Sequence, residues 1–476
     1  METYSMYICG EFRDKKERIL IENPATEEIF AQMPQAEESD LALCIEKAKS
    51  AQRIWREVSF KQRKDLLLGI SEVILKNLKR LAELETKEIG KPIKETLFVD
   101  IPLAAKCFEY YASLMENISS PFSLNKDTID IIQYQPFGTV AIFLPYNVPL
   151  MIFAFNTAAT LAAGNAVIVK PSEFGSLSLL ELANYIDELD FPKGLINILT
   201  GEGPSIGKVL ALSDVDIVSF TGSSDSFKKM FENIKKPKKI ICETSGVNLA
   251  VVFSDALLEE AAENVIASAF MKQGQMCINT SICLIEEDIY EGFVGKLIEK
   301  TEKIKLGEPD SFLTGMGPLR SKQHLEEVVN KVAKIKGKGG RIIKGGKRAT
   351  GTKGYFYEPT IIEIGEMVYE EFFNPILLIK SFKETEIKTL IENNPTGLVL
   401  QLWSRDLKRA KDLAMSAQYG TVWINTFAQM DASTPFGGFK ESGWGRVLGK
   451  WGLFEYLQPK HIGISFGKSQ VSSWFG

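Results

Sequence analysis

The spacing of hydrophobic positions changes near Gly138, and that change divides the chain. Before it, Ala48, Gln52 and Trp55 share one helical face, and Leu66, Ile70, Val73, Ile74, Leu78 and Leu81 share another. The first hundred or so residues therefore read mostly as helices. From Gly138 onward, short runs rich in Val and Ile alternate with amphipathic stretches. Thr139–Leu144, Ala166–Val169, Leu195–Leu199, Ile217–Phe220 and Lys239–Cys242 read as strands, and Pro149–Ala163 as a buried helix. Continuous apolar runs mark strands covered on both faces, hence a parallel sheet. Right-handed crossovers make it a doubly wound α/β sheet of the nucleotide-binding kind.

A second α/β region runs from about Gly246 to Ser442. It holds a helix over Leu257–Lys272, a Gly/Lys-rich turn at Lys336–Gly346, and strands near Thr360–Ile364, Leu398–Trp403 and Thr421–Asn425. Ser123–Gln135 resembles a hairpin. His461–Phe466 reads as a lone strand with no local partner, which points to pairing elsewhere, a subunit boundary included.

At 476 residues the chain is too long for one ordinary core, so two or three domains are expected. No repeat or low-complexity linker separates them. A net charge of -5 gives no whole-chain attraction to nucleic acid or an anionic membrane. The basic run Lys235-Lys236-Pro237-Lys238-Lys239 reads as a solvated face or turn. The N-terminus shows no basic segment followed by an apolar one, so no secretory signal is visible. The most apolar region, Thr139–Val169, is interrupted by Pro145, Asn147, Pro149, Asn156 and Asn165, which a bilayer span tolerates poorly. Six scattered cysteines fit thiols in a reducing cytoplasm, and no metal site is assigned.

Several segments carry candidate chemistry. Gly201, Gly203 and Gly207 follow a strand and open a helix, but the last spacing is one residue too long for a dinucleotide fingerprint. Lys170-Pro171-Ser172-Glu173 ends a buried strand, where open α/β sheets bind ligands. It is either a ribose-binding pair or a surface turn with an ion pair. Ser223, at the start of the helix after Phe220-Thr221-Gly222, is an anion-binding position or a plain cap. Cys277 lies in a flexible turn after an apolar helix, as an approachable thiol or a small hydrophobe. The two histidines, His324 and His461, lie in no catalytic motif, which weakens a cysteine–histidine hydrolase. Glu243 ends a buried strand, where a carboxylate is costly unless it is used or paired.

Taken in order, these segments resemble the aldehyde dehydrogenase superfamily along nearly the whole chain. The resemblance rests on Pro145–Leu150, Lys170–Glu173, Phe220–Ser223, Glu243–Gly246, Gly274–Cys277, Glu370–Pro375 and, most specifically, Pro435–Arg446. The interval from Glu243 to Cys277 (277 minus 243, or 34 residues) is also the family's. The resemblance implies that Cys277 attacks an aldehyde, and that the Asn147 amide and the Cys277 backbone N–H stabilise the oxyanion. One such donor is worth about 3–4 kcal/mol. Hydride then passes to NAD or NADP, and Glu243 activates water to hydrolyse the thioester. Lys170 and Glu173 are expected at the adenine ribose, Ser223 at the pyrophosphate, Glu371 at the nicotinamide ribose, Phe373 beside the nicotinamide, and Thr244 close to the cofactor. A carboxylate at Glu173 repels a 2′-phosphate, which favours NAD, although Lys170 softens the repulsion. Residues 1–117 and 137–244 are expected to bind NAD, 245–445 to form the catalytic domain, and 118–136 with 446–476 to build a homodimer or homotetramer.

The implied substrate is a small-molecule aldehyde in an apolar tunnel of Val148, Ile152, Phe155, Met276, Ile278, Phe427 and Met430, with Gln429 and Asp431 at its mouth. No arginine occurs in 148–156 or 426–434, which disfavours a dicarboxylic semialdehyde. Asn156 stands where the family usually has lysine, and Val447 where it has glutamate; the two usual groups belong to a proton path behind the general base. Thr244-Ser245-Gly246 replaces a Leu-Gly-Gly run, Tyr146 a tryptophan, Asn374 a glycine, and Phe227 another glycine. The rival readings are an NADP-dependent glyceraldehyde-type dehydrogenase and a non-catalytic member of the fold.

Overall fold

The computed structural model describes residues 1–114, 122–124, 127–232, 234 and 237–467. The apolar runs Thr139–Phe143 and Ala166–Lys170 are buried at every position, as strands covered by helices on both faces must be. They lie at the centre of an eight-stranded sheet. From one edge its order is Gly443–Trp444, Lys239–Thr244, Ile217–Gly222, Thr139–Phe143, Ala166–Lys170, Ile196–Ile198, Met6–Ile8 and Glu11–Arg13. The five strands from Lys239–Thr244 to Ile196–Ile198 are parallel, and antiparallel strands close both edges. From Thr139–Phe143 the chain builds outward first through Ala166–Lys170 and then, reversing, through Ile217–Gly222. That reversal is the switch point of a doubly wound sheet, with a crevice beyond the strands' carboxyl ends.

A seven-stranded sheet forms the second α/β body. Its order is Arg341–Lys344, Thr360–Glu363, Ile376–Phe382, Thr280–Glu286, Asn248–Val252, Val399–Trp403 and Thr421–Ile424. Only the Arg341–Lys344 edge is antiparallel. After this sheet the chain returns to the first one, where Gly443 pairs with Glu243. No helix among the described residues is long and apolar enough to cross a membrane.

One expectation needs correction. The first 34 residues hold five strands rather than helices. Met6–Ile8 and Glu11–Arg13 form a hairpin on the first sheet, turned by left-handed Cys9 and Gly10. The strands are too short for their alternation to register against the long helical stripes after them. The C-terminal strand does pair elsewhere, as expected, and within the same chain: Leu457–Ser465 runs antiparallel to Thr128–Pro136 over nine residues. The partner lies more than 300 residues away, beyond any local pattern. Phe122–Leu124 completes this small sheet, while Asn125 and Lys126 of the expected hairpin lie outside the described residues, as do residues 118–121 of the expected oligomerisation element and Lys235 and Lys236. Gly203–Gly207 forms one wide helical turn before Lys208–Leu212, in keeping with a glycine spacing too long for a dinucleotide fingerprint.

Candidate active site

The apolar helix Leu258–Phe270 stops abruptly. Lys272 (φ 50°), Gln273 (φ 58°) and Gly274 (φ 70°) all adopt the left-handed region and reverse the chain toward Cys277. Glycine is required at 274, since a Cβ there would lie 2.1 Å from the Asn374 carbonyl oxygen. Two buried asparagines brace the backbone around the thiol. Asn248 donates to the carbonyls of Cys277 (2.7 Å) and Asn279 (2.8 Å), and Asn279 donates back to Met271 (3.1 Å). The Cys277 thiol is half-buried, and all six cysteines are free.

Asn147 approaches from the carboxyl end of Thr139–Phe143. Its Nδ2 donates to the Gln275 carbonyl at 2.8 Å, two residues before Cys277, and its Oδ1 is buried without a partner. Glu243 ends the strand Lys239–Thr244 at 6% exposure, with Oε1 likewise unpartnered. Gly437 leaves room for that oxygen, because a Cβ there would come within 2.8 Å of it. Burial raises the Glu243 carboxyl to about 8; the Arg446 guanidinium opposes the shift and Glu455 adds to it. Burial, then the Glu243 charge, pushes the Cys277 thiol up to about 12. The three predicted groups thus gather at one seam between the two sheets, each from a separate segment.

The fold holds the predicted cofactor residues in different ways. Lys170 Nζ donates to the Pro171 carbonyl (2.9 Å) and lies 3.6 Å from Glu173 Oε2, so the pair is formed. Ser223 caps the helix Ser224–Phe231 by accepting from the Ser226 amide. Phe373 stands edge-on to Tyr146, centroids 6.0 Å apart. The Glu371 carboxylate accepts from the Ser245 hydroxyl. The Thr244 hydroxyl, by contrast, is turned away and donates to the Glu441 carbonyl (2.8 Å). Buried Gln275 Nε2, Asn374 Oδ1 and His324 Nδ1 have no hydrogen-bond partner among the described residues, and Asn374 and His324 flank or approach the Glu371–Phe373 segment. Unused polar atoms at this place fit a bound nicotinamide nucleotide.

Six of the predicted tunnel residues, Val148, Ile152, Phe155, Met276, Ile278 and Phe427, are buried in one cluster, with Met430 and Cys277 packed against it. Sequence reasoning missed Trp423, edge-on to Phe427 at 5.4 Å, and Arg320. The Arg320 guanidinium lies 4.7 Å from the Tyr146 ring centre and 4.6 Å from that of Phe174. Such a stack explains how tyrosine serves at 146. No local motif announced it. Asn156 has become the hub of a buried knot. It donates to the Ile152 carbonyl and accepts from the Ser219 hydroxyl (2.7 Å) and the Tyr456 hydroxyl (2.9 Å). Val447 is packed in the core and pairs with Phe436 through the backbone. Phe227 sits among Phe220, Phe231 and Trp444, so its ring completes an aromatic cluster.

Comparison with known proteins gives the same picture. Residues 12–462 match the Aldehyde dehydrogenase family. The chain is 37% identical to a peroxisomal aminoaldehyde dehydrogenase 1 of Pisum sativum, covering 96% of this chain and 95% of that one. It is 35% identical to a chloroplastic betaine aldehyde dehydrogenase of Amaranthus hypochondriacus, covering 99% and 98%. Among solved structures, an NAD+ complex of a Bacillus cereus aldehyde dehydrogenase superposes with a TM-score of 0.95 at 31% identity over 98% and 97% of the two chains. A Staphylococcus aureus betaine aldehyde dehydrogenase variant in complex with NAD+ gives 0.96 at 31% over 99% of each. The chain belongs to the aldehyde dehydrogenase family. Its activity is the family's, NAD(P)-dependent oxidation of an aldehyde.

The Ser245 contact yields a test particular to this chain. Replacing Ser245 by alanine removes a hydrogen bond to a charged group, worth about 1.5–3 kcal/mol. Steady-state kinetics should show the KM for NAD rising roughly tenfold with a smaller change in kcat; an unchanged KM contradicts a role for Ser245 in orienting Glu371.

Proposed function

We propose that Cys277, Asn147 and Glu243 carry this oxidation, with NAD as cofactor. The observation that carries the reading is their convergence: a thiol just beyond a left-handed turn, an amide bonded two residues from it, and a buried carboxyl with an unpartnered oxygen. As thiolate, Cys277 Sγ adds to the aldehyde carbon. The Asn147 Nδ2 and the Cys277 N–H then hold the oxygen as its charge develops. Bound NAD supplies the acceptor for the hydride that leaves the carbon. What remains on Cys277 is a thioester, and Glu243 in its ionised form takes the proton from the water that hydrolyses it. Glu173, paired with Lys170, accepts from a free ribose hydroxyl, which favours NAD over NADP.

The knot at Asn156 and the apolar packing of Val447 put neutral groups where the family usually places an ionisable path behind the base. Tyr456 is held well above its ordinary range by burial, so it stays protonated. Glu243 therefore exchanges its proton with water in the substrate channel, and deacylation is slow. A pre-steady-state burst of NADH should precede slower turnover. The slow phase should rise with pH through about 8, because the base acts only once ionised. Glu243→Gln should keep the burst, lose turnover and leave an acyl mass on Cys277. Full turnover by that variant contradicts the assignment.

The substrate is a neutral or cationic aldehyde. The tunnel segments bring no arginine, and exposed Asp431 is kept ionised by the Ser433 hydroxyl and amide. The relatives' names, aminoaldehyde and betaine aldehyde dehydrogenase, point the same way. An aldehyde panel should give 3-aminopropanal or an aliphatic aldehyde at least a tenfold advantage in kcat/KM over succinic semialdehyde, about 1.4 kcal/mol; the reverse order overturns this.

The protein works as a homodimer or homotetramer. Supporting this, the strand Leu457–Ser465 has one open edge, with Ile464, Phe466, Phe122 and Leu124 exposed on the same small sheet. Light scattering after gel filtration should give two or four times the chain mass, and a monomer contradicts it.

A further inference from the structure

The segment Glu85–Asp100 takes no part in the chemistry above, yet it carries five charged residues out of water. Glu85, Glu88, Lys91, Glu95 and Asp100 are all 6% exposed or less, and Lys272 joins them at 2%. Buried charges on this scale cost a fold dearly unless every partner is placed. Glu88 accepts from the Ser176 and Leu177 amides, and the other four reach the segments that bear the active site directly or through one another.

Lys91 has three N–H donors and uses each one. They reach Glu85 Oε2 (2.5 Å), Asp100 Oδ2 (2.9 Å) and the backbone carbonyl of Asn147 (3.2 Å). The other Glu85 oxygen accepts from the Leu150 amide (3.1 Å) and the Ser178 hydroxyl (2.9 Å). The Lys91–Glu85 pair thus holds Asn147 on one side and the start of the next helix on the other. The same segment also holds the nucleophile turn. Asp100 Oδ1 lies 3.0 Å from Lys272 Nζ, Glu95 accepts from the Lys272 amide (3.2 Å), and Gln273 Nε2 donates to the Gly90 carbonyl (2.5 Å). Lys272 and Gln273 are the two non-glycine residues with left-handed backbone in that turn, a conformation that persists only where surroundings impose it.

We propose that this buried ion cluster is a clamp fixing the distance between the Asn147 amide and the Cys277 thiol, with Lys91 as the positioning residue that acts through Asn147. The proposal rests on the reading of Asn147 as the oxyanion donor. It explains why charge is buried where apolar side chains would fill the same volume. A lysine with carboxylates on two donors and a catalytic segment's carbonyl on the third transmits the position of one loop to the other. Apolar packing has no comparable directionality.

The test is a double-mutant cycle on the full-length enzyme, read as the rate of the first NADH turnover with the KM for NAD alongside. Asn147→Ala should slow that turnover by roughly 100-fold or more. Lys91→Met should slow it at least tenfold while the KM for NAD stays within threefold. In the Asn147→Ala background, Lys91→Met should cost less than a further threefold, because the group it positions is gone. An equal cost in both backgrounds, or a wild-type rate for Lys91→Met, overturns the clamp. Should Lys91→Met fail to fold, Asp100→Asn keeps the side-chain shape, removes one charge of the cluster, and must show the same loss of effect in the Asn147→Ala background. A wild-type rate for Asn147→Ala removes the oxyanion reading itself, whereas a slow Asn147→Ala with an additive Lys91→Met removes only the clamp.

Discussion

The hydrogen bond from the Asn147 amide to the Gln275 carbonyl joins two α/β bodies at the point where their chemistry has to meet. Neither body alone brings Cys277, Asn147 and Glu243 together. Asn147 follows one parallel strand of the first sheet, Glu243 lies at the end of another, and Cys277 lies just before a strand of the second. The return of the chain through Pro435–Arg446 closes the arrangement, setting Gly443 beside Glu243 and Gly437 over its free oxygen.

Burial sets the electrostatics of the site. Neither the thiol nor the carboxyl favours its charged form in the protein alone: Cys277 lies near 12 and Glu243 near 8, both raised chiefly by loss of water. Each charge would also disfavour the other, so the two groups suit successive steps rather than simultaneous ionisation. In Glu243 the opposing pull of Arg446 limits the shift, leaving a carboxyl that ionises close to neutral pH.

The sequence discloses what depends on local pattern. Val-Ile-rich strands such as Ala166–Val169 announce a sheet covered on both faces, and the residues just beyond their ends are those that an open α/β sheet presents to a ligand. Asn147, Lys170, Ser223 and Glu243 all stand there. What stays hidden is long-range. Leu457–Ser465 finds its partner more than 300 residues earlier, Ser245 its carboxylate 126 residues later. The charged residues of Glu85–Asp100 look like the polar face of a helix, since nothing local says that Lys91 and Asp100 are buried. Asn156 carries a different lesson: its identity marks a lost lysine, but only the fold shows the Ser219–Tyr456 knot built in its place.

The most direct test monitors NAD reduction at 340 nm with an aliphatic aldehyde, comparing wild type with Cys277→Ala. Wild type should reduce NAD while Cys277→Ala, folded and still able to bind NAD, should reduce none. Reduction by Cys277→Ala at a rate near that of wild type would contradict the assignment of the thiol at the seam as the group that receives the aldehyde.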